Sequence, residues 1–185
     1  VNPMAKRERD EVAEIVRDAG GQIVGRTRIQ KVVYLLQLTG QLDEFDFNFE
    51  YRHYGPYSEA LSGAIQAAEA FNLITEEERT AQWGGRYSIY NASKELGPAM
   101  DNDRAKFIKA AVAIDPIELE LAATAAYLHA VENCPDPWKE TQRRKPEKAT
   151  DERLDKAKDT YQKLLSLKAP QPLPKMNSSK SEGKA

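Results

Sequence analysis

One stretch of ten residues constrains this chain more than any other. Phe45, Phe47, Phe49, Tyr51 and His53 alternate with Asp46, Asn48, Glu50, Arg52 and Tyr54. A period of two predicts a strand over 45–54, one face on a core and the other in water. Gly55 and Pro56 then break the strand. Ser58 follows as the N-cap of a helix, with Glu59 at its positive end. Tyr57, Leu61, Ile65, Ala68 and Phe71 fall on one face of that helix.

The flanking segments set this corner in a larger pattern. Val12, Ile15, Val16 and Ala19 recur at helical spacing over 7–19, and Gly20 and Gly21 supply a stop. A second helix is predicted from Thr27, with Thr27 and Gln30 as a capping box and Gly40 as its end. Ile29, Val32, Val33 and Leu36 form its apolar stripe. After the third helix, residues 73–76 and 86–90 read as two strands joined by a turn at Gly84 and Gly85. The order helix, helix, strand, helix, hairpin is that of a winged helix-turn-helix.

The rest reads as helical. One helix is predicted over 101–113 with Phe107, Ile108 and Ala111 inward. Asp115 and Pro116 open another, with Ile117, Leu121, Thr124, Leu128 and Val131 as a buried stripe. Asp136 and Pro137 open a short helix bearing Trp138, and Thr150 caps a last one. The expected fold is mainly α with a small β-hairpin or three-stranded sheet (α+β). It divides into a winged helix-turn-helix-like core over 1–93, a C-terminal helical extension over 94–168 and a disordered tail over 169–185.

Composition narrows the function classes. Of the residues, 41% are hydrophobic and 30% charged, enough for a core under a well-solvated surface. No apolar run approaches bilayer length, and residues 1–17 lack the apolar stretch of a signal peptide, so a cytoplasmic protein without membrane contact is expected. A single cysteine, Cys134, gives no disulfide framework and no multi-cysteine zinc site. The formal charge is −4 over residues 1–90, −4 over 91–137 and +6 over 138–185. A DNA-binding domain carries a basic footprint, whereas here the winged-helix-like part is acidic. Residues 58–72 hold Glu59 and Glu69 but no Lys or Arg, although base readout favours Arg, Lys, Asn or Gln.

Two motifs carry a family resemblance. Residues 26–37, with Gln30, Lys31 and Tyr34, are followed by Tyr51-Arg-His-Tyr-Gly-Pro-Tyr-Ser58. Together they resemble the YwgA-like group of uncharacterised bacterial proteins and, more distantly, the Panacea domain of SocA-like antitoxins and phage-associated proteins. The stretch from Glu118 to Leu128 and the segment Arg144-Lys-Pro146 are similar to the C-terminal half of the YwgA-like group. The resemblance implies a winged-helix-type core and a partner-binding role, and no reaction. Tyr57 stands where the Panacea pattern often has Val, which favours the YwgA-like side.

Candidate chemistry is sparse. Ser58 with His53 or His129 lacks the Gly-x-Ser-x-Gly elbow that presents a nucleophile. Two histidines and one cysteine offer no metal spacing, and no phosphate or dinucleotide loop occurs. No catalytic, cofactor or metal residue is therefore assigned. The expectation is a non-catalytic interaction or regulatory protein, antitoxin-like, that binds a protein partner through the corner His53, Tyr54, Gly55, Pro56, Tyr57 and Ser58. The alternative is a DNA-binding regulator using a basic patch of Arg26, Arg28, Lys31, Arg143, Arg144, Lys145 and Lys148, with a homodimer as a further option.

Overall fold

The computed structural model describes residues 6–177. Among them the architecture is α+β, with seven α-helices, a three-stranded antiparallel sheet and a separate two-stranded one. The helices are α1 (Glu8–Asp18), α2 (Arg26–Leu38), α3 (Glu59–Ala70), α4 (Asp103–Val112), α5 (Pro116–Ala130), α6 (Pro137–Arg144) and α7 (Asp151–Leu165). The strands are β1 (Gln22–Val24), β2 (Glu50–Arg52), β3 (Gly55–Tyr57), β4 (Ile74–Thr80) and β5 (Arg86–Ala92).

The core is organised around α5. Its expected apolar stripe is corrected to burial on every side, since all ten residues from Leu119 to Leu128 are buried. A helix enclosed all round must have neighbours all round, and α2, β3, α6 and α7 pack against it. Side-chain caps hold the C-terminal helices. Asp115 accepts from Ile117 N at 2.9 Å, Asp136 from Lys139 N at 3.1 Å and Thr150 from Arg153 N at 3.4 Å. Each satisfies a backbone donor that a helix start leaves open. The side chain of Trp138 is 5.8 Å edge-on from Tyr161 and closes α6 onto α7.

The sheet order is β1-β5-β4. Strand β1 escaped the sequence reading, because three residues with one inward side chain, Ile23, are too short for a period to show. It pairs antiparallel with β5, Ile23 opposite Tyr90. Both β4 and β5 run longer than expected, and Glu77 lies opposite Ile89.

The strand expected over 45–54 is corrected. Only β2 pairs, and its partner is β3, with Tyr51 opposite Pro56 and Arg52 opposite Gly55. Residues 45–49 keep the alternation, Phe47 buried between exposed Asp46 and Asn48, without a ladder. The reason is local. Asn48 adopts a left-handed φ of 51°, and side chains replace the missing strand, Gln37 accepting from Phe47 N and Asp46 from Asn48 N. Gly55 and Pro56 do not end the strand system. They begin its second strand, after a two-residue turn of His53 and Tyr54.

Three smaller expectations are also corrected. The Thr27 and Gln30 capping box is not formed, because α2 starts at Arg26 after Gly25 and the Gln30 amide is committed to Ser58. Phe71 is exposed, with the Arg9 guanidinium 3.5 Å above its ring. Residues 169–177, expected as disordered tail, lie against the core: Leu173 is 2% exposed, Gln171 N donates to Thr39 O, and Tyr161 donates to Pro174 O. A Pro-rich segment without periodicity can still be fixed by single side chains. Residues 178–185 lie outside the described residues.

Among the described residues, no helix is long and apolar enough to cross a membrane. The packing of the 169–177 segment is testable. Leu173→Ala is expected to cost about 2 kcal/mol or more of unfolding free energy in urea, the range for emptying a buried leucine site. An exposed tail residue would change it by under about 0.5 kcal/mol.

Candidate functional site

The corner is built from four directions. From α2, Gln30 forms a two-point contact with the Ser58 backbone, its amide donating to Ser58 O at 3.0 Å and accepting from Ser58 N at 2.9 Å. Its neighbour Lys31 donates to Pro56 O at 2.8 Å. The hydroxyl of Ser58 donates to Phe47 O and accepts from Leu61 N, so it ties the incoming loop and caps α3. It is fully buried and committed to structure, not poised as a nucleophile. From the segment after α6, Lys145 donates to His53 O at 2.9 Å and to Glu120 of α5 at 2.8 Å. Lys148 donates to the same carboxylate at 2.9 Å.

Two residue lists read separately in the sequence thus meet at one place. The motif residues Gln30 and Lys31 hold the Gly-Pro corner from one side. Lys145 and Lys148, assigned to a basic patch, hold it from the other. The third motif residue, Tyr34, lies one turn along α2 among Phe49 and Tyr127, ring centroids 5.1 and 5.9 Å away. Burial pushes its hydroxyl above the usual tyrosine range.

Burial decides the electrostatics. Lys31 is 2% exposed, Glu120 5% and Lys145 8%. Loss of water around the Lys31 ammonium pushes its pKa down to about 8; Glu120 opposes this, and the charges of Lys145 and Lys148 add to it. Outside, each hairpin tyrosine carries a cation: Arg144 over Tyr51 at 4.9 Å, Lys148 over Tyr54 at 4.6 Å and Arg52 over Tyr57 at 4.7 Å. The His53 ring stands edge-on to Tyr54, with centroids 4.8 Å apart. Cavities lie on both sides of this turn. One, of about 220 Å³, is lined by Lys31, Arg52, Tyr54 and Tyr57; the other, of about 250 Å³, by Arg144, Lys145 and Lys148; His53 lines both.

The residues of the expected basic patch are divided between buried positions and paired surface positions, with Arg26 and Arg143 largely exposed. Lys31 is buried inside the corner. Arg28 of α2 is half-buried and donates to Ile114 O at 2.6 Å and to Val112 O, closing the C-terminal end of α4. Desolvation lowers its pKa. Arg26 is paired with Glu76 and Glu78 of β4. Arg143 and Arg144 both hold Glu140, whose carboxyl they lower to about 2, and Arg144 also reaches Glu132. Elsewhere His129 is half-buried on α5 and Cys134 is a half-buried free thiol. Among the described residues, no three His, Cys, Asp or Glu side chains gather as a metal site.

Two residues of the site were missed in the sequence. Glu120 and Thr124 are one helical turn apart on α5, a charged and a polar group within an otherwise apolar run. That interruption was the available signal. Thr124 lies directly under Gly55, whose φ is +86°, and a methyl placed there would run into Thr124 Oγ1. This position needs glycine on both counts.

No family model matches the chain. Over 170 residues it is 26% identical to the uncharacterised protein YwgA of Bacillus subtilis (strain 168), covering 87% of this chain and 98% of that protein. This supports a YwgA-like relationship.

Two predictions follow from the corner. Gly55→Ala is expected to destabilise the fold by more than about 1 kcal/mol. Adding Thr124→Ala should recover part of that loss, giving a coupling of roughly 0.5–3 kcal/mol in a double-mutant cycle; strict additivity would show that the two sites do not touch. The second concerns pH. Because the folded pKa of Lys31 lies below its unfolded value, the unfolded chain binds more protons between pH 8 and 10. Stability contributed through this group is therefore expected to rise across that window. In chemical denaturation, Lys31→Met should flatten the rise.

Proposed function

We propose that this chain is a non-catalytic, winged-helix-like interaction module that binds a protein partner. The observation that carries the reading is the commitment of the seven cations of the expected basic patch. Arg26, Arg143, Arg144, Lys145 and Lys148 each pair with a carboxylate, and Arg28 and Lys31 with backbone carbonyls. Phosphate binding needs cations free to replace counterions along a backbone, and each of these would first have to leave a partner.

The topology supports the winged-helix part of the reading. Helices α1, α2 and α3 and a sheet ordered β1-β5-β4 follow the arrangement in which α3 is the recognition helix and the β4–β5 hairpin the wing. In this chain α3 carries Glu59 and Glu69 without a cation, and β4 carries Glu76, Glu77 and Glu78. The wing arginines are spent on the wing itself, Arg79 on Glu77 and Arg86 on Glu78. Such a surface repels phosphate. The corner instead offers a rigid turn with Tyr54 47% exposed, an aromatic anchor of the type that protein interfaces favour. The resemblance to SocA-like antitoxins, which act by holding a partner protein, agrees with this mode and motivates the antitoxin-like form of the proposal.

The test has two arms. In fluorescence anisotropy, a random-sequence duplex is expected not to bind even at low salt. With a photo-crosslinking residue in place of Tyr54, a discrete protein adduct is expected in the producing cells, and none with the same residue in place of Lys139. Tight duplex binding with a steep salt dependence, or no adduct at position 54, would overturn the reading.

A further inference from the structure

One edge of the three-stranded sheet is open. Among the described residues, β4 pairs with β5 alone. Ser93 N donates to Leu73 O and Ala81 N to Gly85 O, so the odd-numbered residues from Leu73 to Ala81 turn their backbone groups to β5. Ile74, Glu76, Glu78 and Thr80 turn theirs outward. Glu76 N is taken by the Glu69 side chain at 3.2 Å. Among the described residues, no other strand or loop takes up the outward groups of Glu78 and Thr80. The strand carries no Pro, no Lys and no bulge, and its register with β5 runs unbroken from Ile74 to Thr80. Such an edge is a template for a further strand unless charge forbids it.

Charge selects what can pair there. Glu76 and Glu78 share the face of buried Ile74, where Arg26 and Arg86 hold them. The opposite face carries Glu77 and Arg79, two residues apart and opposite in sign. An antiparallel copy of β4 complements this face in one register, the one centred on Glu78. Glu77 then stands opposite the partner's Arg79, and Arg79 opposite the partner's Glu77. Centring on Glu77 or Arg79 would set like charges face to face, which is destabilising. Centring on Glu76 or Thr80 would leave both without an opposite charge.

The same register brings the wing tip to a second contact. Trp83, at 83%, and Phe71, at 57%, are the most exposed of the large hydrophobic side chains among the described residues. The Trp83 ring lies over Gly85, where a Cβ would overlap it, so it is held at the tip and away from the core. Counted along the pair, Trp83 falls opposite the partner's Leu73, two residues from the partner's Phe71. A two-fold axis makes this contact twice, once at each end of the paired strands.

We propose that this chain self-associates through β4, two copies pairing antiparallel about Glu78 so that two three-stranded sheets join into one. Trp83 of each copy lies against Phe71 of the other. Glu69 releases Glu76 N, which donates to Thr80 O of the partner subunit. A lone basic peptide could match the glutamates but would leave Trp83 and Phe71 uncovered. The inference goes beyond the interaction reading. Its test reads self-association, whereas the crosslink at position 54 reads a foreign protein, so the two can fail separately.

The experiment is sedimentation velocity on the full chain from about 5 to 500 µM, the range for a small transient interface. A concentration-dependent monomer–dimer equilibrium is expected. Trp83 emission should move to the blue as the dimer forms, while Trp138, 4% exposed, contributes a constant background. Glu77→Arg and Arg79→Glu each place like charges across both symmetric pairs, and each alone should weaken the dimer at least about tenfold. Mixed in equal amounts, the two variants again oppose unlike charges and should form a heterodimer. Trp83→Ala should weaken the dimer at least about tenfold. All three positions are exposed, so the variants should keep the fold, as circular dichroism can verify. A chain monomeric at the highest concentration, a dimer indifferent to both charge variants, or charge variants that stay apart on mixing would overturn the proposal.

Discussion

The ion pair between Glu120 and Lys145 is the constraint around which this molecule is arranged. Helix α5 is enclosed on every side over Leu119–Leu128, so the carboxylate of Glu120 is largely withdrawn from water. Left alone it would carry the cost of a buried charge; removing one partner of such a pair typically costs about 3–5 kcal/mol. The lysine that answers it lies 25 residues further on, just past α6. That lysine also donates to His53 O, so the pair fixes α5, the end of α6 and the β2–β3 turn relative to one another. The C-terminal helices are thereby joined to the corner by more than apolar packing.

This arrangement changes the meaning of the charge distribution. The +6 of residues 138–185 looks like an electrostatic surface when read along the chain. In three dimensions Lys145 turns inward, and Arg144 is neutralised in place between Glu132 and Glu140. The surface left around α3 and the wing is acidic and internally paired. The same inward turn brings Lys145 and Lys148 onto one carboxylate, Glu120, beside the corner. One structural choice, a buried acid on a buried helix, takes Lys145 and Lys148 out of any phosphate-binding surface.

The corner shows how a short motif can be structural and still define a site. Gln30 supplies the hydrogen bonds a third strand would otherwise give to Ser58, and Lys31 does so for Pro56. Gly55 allows the turn to approach Thr124 closely. The result is a rigid two-residue turn with His53 and Tyr54 outward and cavities on either side. The residues that fix the shape are buried. The residues available for contact are their immediate neighbours in sequence.

What the sequence determined by itself was local. Helical spacing located α1, α3 and the C-terminal helices, and Ser58, Asp115, Asp136 and Thr150 act as the caps their side chains suit. Alternation placed Phe47 inward correctly even though no strand forms there, because burial follows the pattern whether or not a ladder exists. Only tertiary structure decided the rest. Strand β1 is too short to carry a period and exists because β5 offers it a ladder. Residues 169–177 carry no pattern, yet Leu173 finds a buried site. Whether Lys31, Lys145 and Arg28 face solvent or the interior could not be read from charge, since a lysine is stable in either place when an acceptor is near. The acceptors, Pro56 O, Glu120 and Ile114 O, lie 25 to 86 residues away and come within reach only when the chain has folded.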